Sequence, residues 1–310
     1  MKRIVISEFM DAPAVAALRG RFEVDYRPKL VDDAAALASA LAEAHAWIVR
    51  NRTQVRGGLL AAAARLSVVG RLGVGLDNID VPACEARGIR VIPATGANAQ
   101  AVAEYVVAAA LVLLRGAYHA SAEVAAGRWP RAALSEGREA AGQSMGIVGF
   151  GSIGRATAAK AAALGMRILA HDPRVPAGDP AWAEARAERL ELDALLARSD
   201  VVSLHVPLIP ATRGLIGAER LARMKPGAIL VNTARGGIVD EAAVAAALRE
   251  GRLGGAALDV FDAEPLAAGS PLAGAPRLIL TPHIAGVTVE SNERVSSMIA
   301  SRVAEALGTG

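Results

Sequence analysis

Short apolar, β-branched runs recur along this chain, separated by alanine-rich stretches whose apolar residues return every three to four positions. A first set of runs is "RIVIS" (3–7), "WIVR" (47–50), "LSVVGRLG" (66–73) and "IRVIP" (89–93). A second set is "MGIVGF" (145–150), "MRILAHD" (166–172), "DVVSLHVP" (200–207), "AILVNTA" (228–234), "GAALDVF" (255–261) and "RLILTPH" (277–283). The spacing predicts helices over 153–164, 189–198 and 241–250, and a long one over 99–117. Near-continuous apolar strands alternating with helices predict an α/β chain of parallel sheets covered on both faces. Between the two sets, 118–143 is less regular and holds Trp129 and Pro130. The tail from about 287 follows the last strand and has nowhere else to pack, so it is expected to return to the first set. That makes one domain of 1–98 with 287–310, and a second of 99–286 inserted into it, with crossings near 98 and 286.

Composition narrows the picture. The chain has 310 residues, enough for two domains, and is 53% hydrophobic and 21% charged, which excludes disorder. Basic residues are scattered, the net charge is +3 and aromatics are 3%, which argues against a nucleic-acid surface. Cys84 is the only cysteine, so neither an internal disulfide nor a multi-cysteine metal site is expected, and a reducing cytoplasm fits. The longest apolar stretch, Tyr105 to Leu114, is too short for a bilayer, and "MKRIVISEF" reads as a first strand rather than a signal peptide.

"GIVGFGSIGRA" puts Gly149, Gly151 and Gly154 in G-x-G-x-x-G order between a predicted strand and a predicted helix. The first glycine suits a tight turn, the second a close backbone approach to a pyrophosphate, the third close helix–strand packing. The amides opening the helix, at Ser152, Ile153 and Gly154, would face the phosphates. Asp172 ends the next strand, 21 residues after Gly151, where a carboxylate takes ribose hydroxyls and repels a 2′-phosphate. This favours NAD over NADP, although Arg174 lies two residues on. Six strands in the second set is the count of a complete dinucleotide-binding sheet.

Three ionisable residues fall at strand ends of the second set: Arg235 after "LVNTA", Glu264 after "ALDVFDA", and His283 after "LILTP". Singly, each has an ordinary explanation: a turn cap, a solvent carboxylate before Pro265, a loop histidine. Together they lie on the sheet edge where open α/β sheets bind ligands. They also suit one reaction. Reducing a 2-oxo acid needs a hydride at carbon and a proton at oxygen, and a histidine can deliver that proton near neutral pH. A carboxylate beside it favours imidazolium and orients the ring. An arginine offers a fixed positive fork for the substrate carboxylate and carbonyl. A metal is not expected, since hydride transfer to NAD needs none and an arginine is no ligand.

These segments resemble the D-isomer-specific 2-hydroxyacid dehydrogenases over nearly the whole chain. "VGRLGVGLDNIDV", "GIVGFGSIGRA", "VNTARGGIVDE", "GAALDVFDAEP" and "TPHIAG" are similar to that family's signature segments, in the same order. The resemblance implies two doubly wound parallel-sheet domains, a Rossmann cofactor domain inserted into a flavodoxin-like substrate domain. It implies that Arg235, Glu264 and His283 are the catalytic trio, that Asp259 holds the nicotinamide carboxamide, and that His205, Val206, Pro207 and Thr233 border the cofactor. It implies that the Val74-Gly75 backbone receives the substrate carboxylate in a cleft between domains. It also implies a homodimer through the cofactor domain, with the 99–117 helix and the Trp129 segment at the interface. Formate dehydrogenases of this superfamily carry glutamine where Glu264 stands. Long phosphoglycerate dehydrogenases add a regulatory domain for which this chain has no room.

The first-domain stretch "VRNRTQVRG" (49–57) is similar to the family's substrate loop and carries Arg50, Asn51 and Arg52. Two surface arginines are the ordinary explanation, and it is expected to hold for one of them. The functional one is a pocket for a second negative group on the substrate. With "SEFM" (7–10) and "HIAGVTVESN" (283–292), this loop resembles the (S)-3-sulfolactate dehydrogenase branch. 3-Phosphoglycerate dehydrogenase is the alternative, and a hydroxypyruvate or glyoxylate reductase needs no such pocket. A non-enzymatic alternative is an NAD-sensing corepressor, which would work through a surface groove and extended tails.

Overall fold

A computed structural model of the chain describes residues 1–308. It divides into two compact units: Met1–Asn98 with the chain from Val287 onward, and Ala99–Gly286.

The first unit is built on five strands, β1 (Arg3–Ile6), β2 (Glu23–Tyr26), β3 (Ala46–Val49), β4 (Val68–Arg71) and β5 (Arg90–Pro93). All pairs are parallel and the order is β2-β1-β3-β4-β5, the flavodoxin-like arrangement. Successive side chains of a strand point to opposite faces, so both faces carry apolar residues. Ile4, Ile48 and Val68 join one buried cluster with Ile299 and Val303, and Val5, Trp47, Val49 and Val69 join another. Ile299 and Val303 belong to the C-terminal helix, Val289–Leu307, whose apolar stripe covers one face of this sheet. Thr288 caps that helix by accepting from the Ser291 amide at 3.1 Å.

The second unit holds seven parallel strands: β6 (Ser144–Val148), β7 (Arg167–His171), β8 (Ala187–Arg189), β9 (Val201–Leu204), β10 (Ala228–Asn232), β11 (Leu253–Leu258) and β12 (Leu278–Leu280). Their order is β12-β11-β10-β9-β6-β7-β8. The chain winds outward from β6 in both directions, so β6 and β9 flank the point where strand order reverses. The long helix Ala99–Arg115 covers one face with Val102, Val106, Ala109 and Leu113.

Two strand counts differ from the sequence expectation. The first sheet has five strands rather than four, and the second seven rather than six. The strands missed are β2, "EVDY", and β8, "AER", both at sheet edges and without an apolar run. An edge strand with one solvated side needs little apolar content, which removes the periodic signal. The helices lie within a few residues of their predicted spans, at Ser152–Ala163, Leu192–Arg198 and Glu241–Arg249.

Candidate active site

In the second unit the loop after β6 carries the three glycines. Gly149 has φ +95, and a Cβ there would meet the His205 carbonyl oxygen at 2.5 Å, so only glycine fits. A Cβ on Gly154 would meet the Gly149 carbonyl oxygen at 2.1 Å, the close helix–strand packing that its position demands. A Cβ on Gly151 meets nothing within 4 Å, so the backbone there borders open space. The helix Ser152–Ala163 begins at this opening, and its first-turn amides have no acceptor within the helix. The Asp172 carboxylate, at the end of β7, accepts from the Phe150 amide at 2.8 Å and the Arg174 amide at 2.9 Å. It therefore braces the glycine loop.

The neighbouring strands complete a cradle. His205 follows β9, with its Nε2 2.9 Å from the Ser203 hydroxyl, and burial pushes its imidazole pKa down to about 3. It is a neutral wall, not a charge. Thr233, after β10, has a buried hydroxyl oxygen with no hydrogen-bond partner among the described residues. A buried hydroxyl left unmatched is costly unless something else meets it. Open space at Gly151, free helix amides, a carboxylate after the next strand and an orphan hydroxyl together fit a dinucleotide.

The trio lies at the carboxyl edge of the same sheet. Asn232 ends β10 and clamps the following turn: its amide donates to the Arg235 carbonyl at 3.0 Å, and its carbonyl accepts from the Ala234 amide at 3.0 Å. The half-buried Arg235 guanidinium donates to the Ala234 carbonyl at 2.5 Å. Gly236 allows the next contact, since a Cβ there would lie 1.8 Å from the Phe261 carbonyl oxygen. The Gly237 amide donates to Asp262 at 2.6 Å, and the Phe261 amide to Glu264 Oε1 at 3.1 Å. The other oxygen of Glu264, Oε2, is 2.8 Å from His283 Nδ1. Both side chains are more than a third exposed, so the pair can meet a small molecule.

His283 has φ +57, a left-handed conformation rare for a residue with a Cβ. Asp259, at the end of β11 and only 1% exposed, holds it there. Its carboxylate accepts from the Thr281 hydroxyl at 2.6 Å, the Ile284 amide at 2.8 Å and the Ala285 amide at 2.8 Å. The Tyr105 hydroxyl lies 2.6 Å from the Thr281 oxygen. Asp259, associated by resemblance with the nicotinamide carboxamide, thus tethers the histidine loop first. Asn232, Thr281 and Tyr105 were not singled out from sequence. A polar residue at the last position of an otherwise apolar strand is the signal that would have found Asn232.

In the first unit, the carboxyl ends of β1 and β3 flank that sheet's own reversal point. Glu8 follows β1 and is only 4% exposed. Its carboxylate accepts from the amides of Arg50 at 2.8 Å, Arg52 at 3.1 Å and Thr53 at 3.0 Å. Asn78 holds the same loop by donating to the carbonyls of Arg50 at 3.0 Å and Thr53 at 2.6 Å. The two arginines diverge: Arg52 is exposed and ion-paired with Asp32, whereas Arg50 is half-buried and donates to Asn292 at 2.6 Å. Asn51 is exposed. After β4, the Arg71 guanidinium donates to the Leu72 carbonyl at 2.7 Å and the Gly75 carbonyl at 3.0 Å. This ties down the Val74-Gly75 turn through the Gly75 carbonyl. Among the described residues no group of three or more His, Cys, Asp or Glu is placed to hold a metal ion. No single helix among them is long and apolar enough to cross a membrane.

Known proteins share this arrangement. The family model "D-isomer specific 2-hydroxyacid dehydrogenase, NAD binding domain" matches residues 107–285. The (S)-sulfolactate dehydrogenase of Chromohalobacter salexigens is 56% identical over 309 residues, covering 99% of both chains. The D-3-phosphoglycerate dehydrogenase of Mycobacterium leprae is 42% identical over 306 residues, covering 98% of this chain and 56% of that protein, so the chain spans about half of it. The crystal structure of the TT0316 protein from Thermus thermophilus superposes with a TM-score of 0.88 at 36% identity, covering 98% of this chain and 96% of that one. The chain belongs to the D-isomer specific 2-hydroxyacid dehydrogenases and is an oxidoreductase whose cofactor is NAD.

Proposed function

We propose that the protein interconverts a 2-hydroxy acid and its 2-oxo acid, with His283 and Glu264 as the proton relay and a substrate that carries a second anionic group at carbon 3, such as (S)-3-sulfolactate. The observation that carries this reading is the 2.8 Å pairing of His283 with Glu264 on the sheet edge that also bears the glycine loop. The amides of Ser152, Ile153 and Gly154, with Gly149 and Gly151, would hold the pyrophosphate, Asp172 the ribose, and His205, Pro207 and Thr233 the nicotinamide side. Bound NADH supplies the hydride. His283, protonated and oriented by Glu264, donates its Nε2 proton to the carbonyl oxygen. In the alcohol direction the same nitrogen accepts it. Arg235 draws the substrate carboxylate and polarises the carbonyl. Asp259, through Thr281 and the 284–285 amides, keeps the imidazole aimed.

The family resemblance supports the Val74-Gly75 amides as receivers of the substrate carboxylate and Arg50 as the group that meets the distal anion. Arg52, exposed and paired with Asp32, serves the loop surface instead. The name of the Chromohalobacter relative supports sulfolactate, and that of the mycobacterial one makes 3-phosphoglycerate the alternative. We further propose a cytoplasmic homodimer. Exposed Tyr118, Val124 and Trp129, the last 77% exposed, support an apolar contact through the second unit, and a lone buried Cys84 suits a reducing compartment.

The test is NADH oxidation at fixed enzyme with 3-sulfopyruvate, 3-phosphohydroxypyruvate, hydroxypyruvate and glyoxylate. The proposal expects kcat/KM for 3-sulfopyruvate to exceed that for hydroxypyruvate by about a hundredfold, the worth of a paired charge. A preference for glyoxylate or hydroxypyruvate would assign the chain to a general reductase.

A further inference from the structure

Three segments far apart in sequence converge on one guanidinium. Arg50 follows β3, Phe9 follows β1, and Asn292 lies in the first turns of the C-terminal helix. The Arg50 guanidinium carbon sits 5.7 Å from the centre of the Phe9 ring, and one terminal N–H donates to Asn292 Oδ1 at 2.6 Å. Glu8 and Asn78 hold the backbone beneath it. Among the described residues Arg50 makes no ion pair, whereas Arg52 two positions on does.

The chemistry of the partners is the point. A carboxylate in place of Asn292 would fix Arg50 and cancel its charge. An amide carbonyl and a ring face fix it without a side-chain ion pair, while the buried Glu8 carboxylate, held on the Arg50 amide, acts on the guanidinium only through space. A guanidinium can only donate, so the Asn292 oxygen must face it, which turns the Asn292 Nδ2 donors away from it. The Thr288 cap and the helix backbone fix Asn292 itself, its amide donating to the Thr288 carbonyl at 2.9 Å.

We propose that Asn292, with Phe9, is the positioning residue that presents Arg50 as a fork not engaged in a side-chain ion pair and so sets the preference for substrates with a distal anion. This rests on the reading above that Arg50 meets that anion.

The experiment compares wild type, Arg50→Ala, Asn292→Ala, Asn292→Asp and the Arg50→Ala/Asn292→Ala double variant. It reads the ratio of kcat/KM for 3-sulfopyruvate to that for hydroxypyruvate. Asn292→Ala is expected to lower the ratio about tenfold, through KM for 3-sulfopyruvate, the size of a hydrogen bond to a charged group. Asn292→Asp is expected to lower it further, because its carboxylate pairs with Arg50 and repels the incoming anion. The double variant is expected to match Arg50→Ala, because Asn292 acts through Arg50. If Asn292→Ala fails to fold, the near-isosteric Asn292→Asp carries the test alone. Loss of the ratio in Arg50→Ala with no change in either Asn292 variant overturns this inference and leaves the role of Arg50 standing. Multiplying effects in the double variant overturn it likewise. A wild-type ratio near one, or a ratio unmoved in Arg50→Ala, overturns both.

Discussion

The Thr281 hydroxyl donates a 2.6 Å hydrogen bond to the Asp259 carboxylate, two residues before the histidine whose strained backbone that carboxylate secures. Thr281 also lies within hydrogen-bond reach of Tyr105, so the chain Tyr105–Thr281–Asp259 runs from the long helix to the histidine loop. Replacing Thr281 by Val removes one of three donors to a buried carboxylate. The expected cost is about 1–3 kcal/mol of stability and roughly a tenfold loss in kcat, with the KM for NADH little changed. Tyr105→Phe, which removes only the outer link, should cost less than Thr281→Val. Thermal denaturation and steady-state kinetics on both variants check the order.

Acid should destabilise the protein from near neutrality, and His205 is one identifiable cause. Burial holds its folded pKa at about 3, far below the ordinary 6.5. As pH falls below 6.5 the unfolded chain takes up a proton that the folded one refuses, so stability falls until about pH 3 and then levels. Asp200 adds a second slope at lower pH. Burial alone would raise its pKa, but hydrogen bonds from Ser144, Arg138 and Lys225 hold it well below the usual carboxylate range. Its contribution is therefore present above pH 3.8 and lost below it. Urea denaturation from about pH 8 to 4 should show a His205→Gln variant losing less stability than wild type, by on the order of a few kcal/mol.

Asp172 should govern the choice between NAD and NADP. Asp172→Asn removes the charge that repels a 2′-phosphate and keeps a carbonyl acceptor for the Phe150 amide, which Asp172 now holds at 2.8 Å. The ratio of kcat/KM for NADPH to that for NADH is expected to rise about tenfold. An unchanged ratio would move cofactor discrimination elsewhere.

The exposed Trp129 predicts a contact between copies of this chain. Light scattering should return twice the chain mass for wild type. Trp129→Glu, which puts a charge into an apolar contact, should shift the population toward monomer at micromolar concentration.

How much of this was legible in the sequence follows from what each feature depends on. The central strands are apolar throughout because both faces are covered, so "AILVN" and "SMGIV" announce themselves. The edge strands "EVDY" and "AER" carry no such run and appear only when hydrogen-bonded beside their neighbours. The glycine loop and the trio at strand ends were legible because local order determines them. The Glu8 carboxylate was not. A glutamate after a strand reads as solvated, and its burial arises only because the 50–53 loop closes over it. The left-handed backbone at His283 is equally hidden, since Asp259, 24 residues earlier, imposes it. The different surroundings of Arg50 and Arg52 likewise depend on partners more than 200 and about 20 residues away.

The central claim is that His283 and Glu264 act as one proton-transferring unit, and kcat for 2-oxo acid reduction in single and double variants of this pair tests it most directly. Glu264→Gln, which keeps an acceptor but not the charge, is expected to lower kcat. The Glu264→Gln/His283→Ala double variant is expected to match His283→Ala, because Glu264 acts through His283. His283→Ala should lose about 10²–10⁴-fold in kcat, the usual worth of a general acid, while still binding NADH. An unchanged kcat in Glu264→Gln, multiplying effects in the double variant, or near-wild-type turnover in His283→Ala would contradict the account.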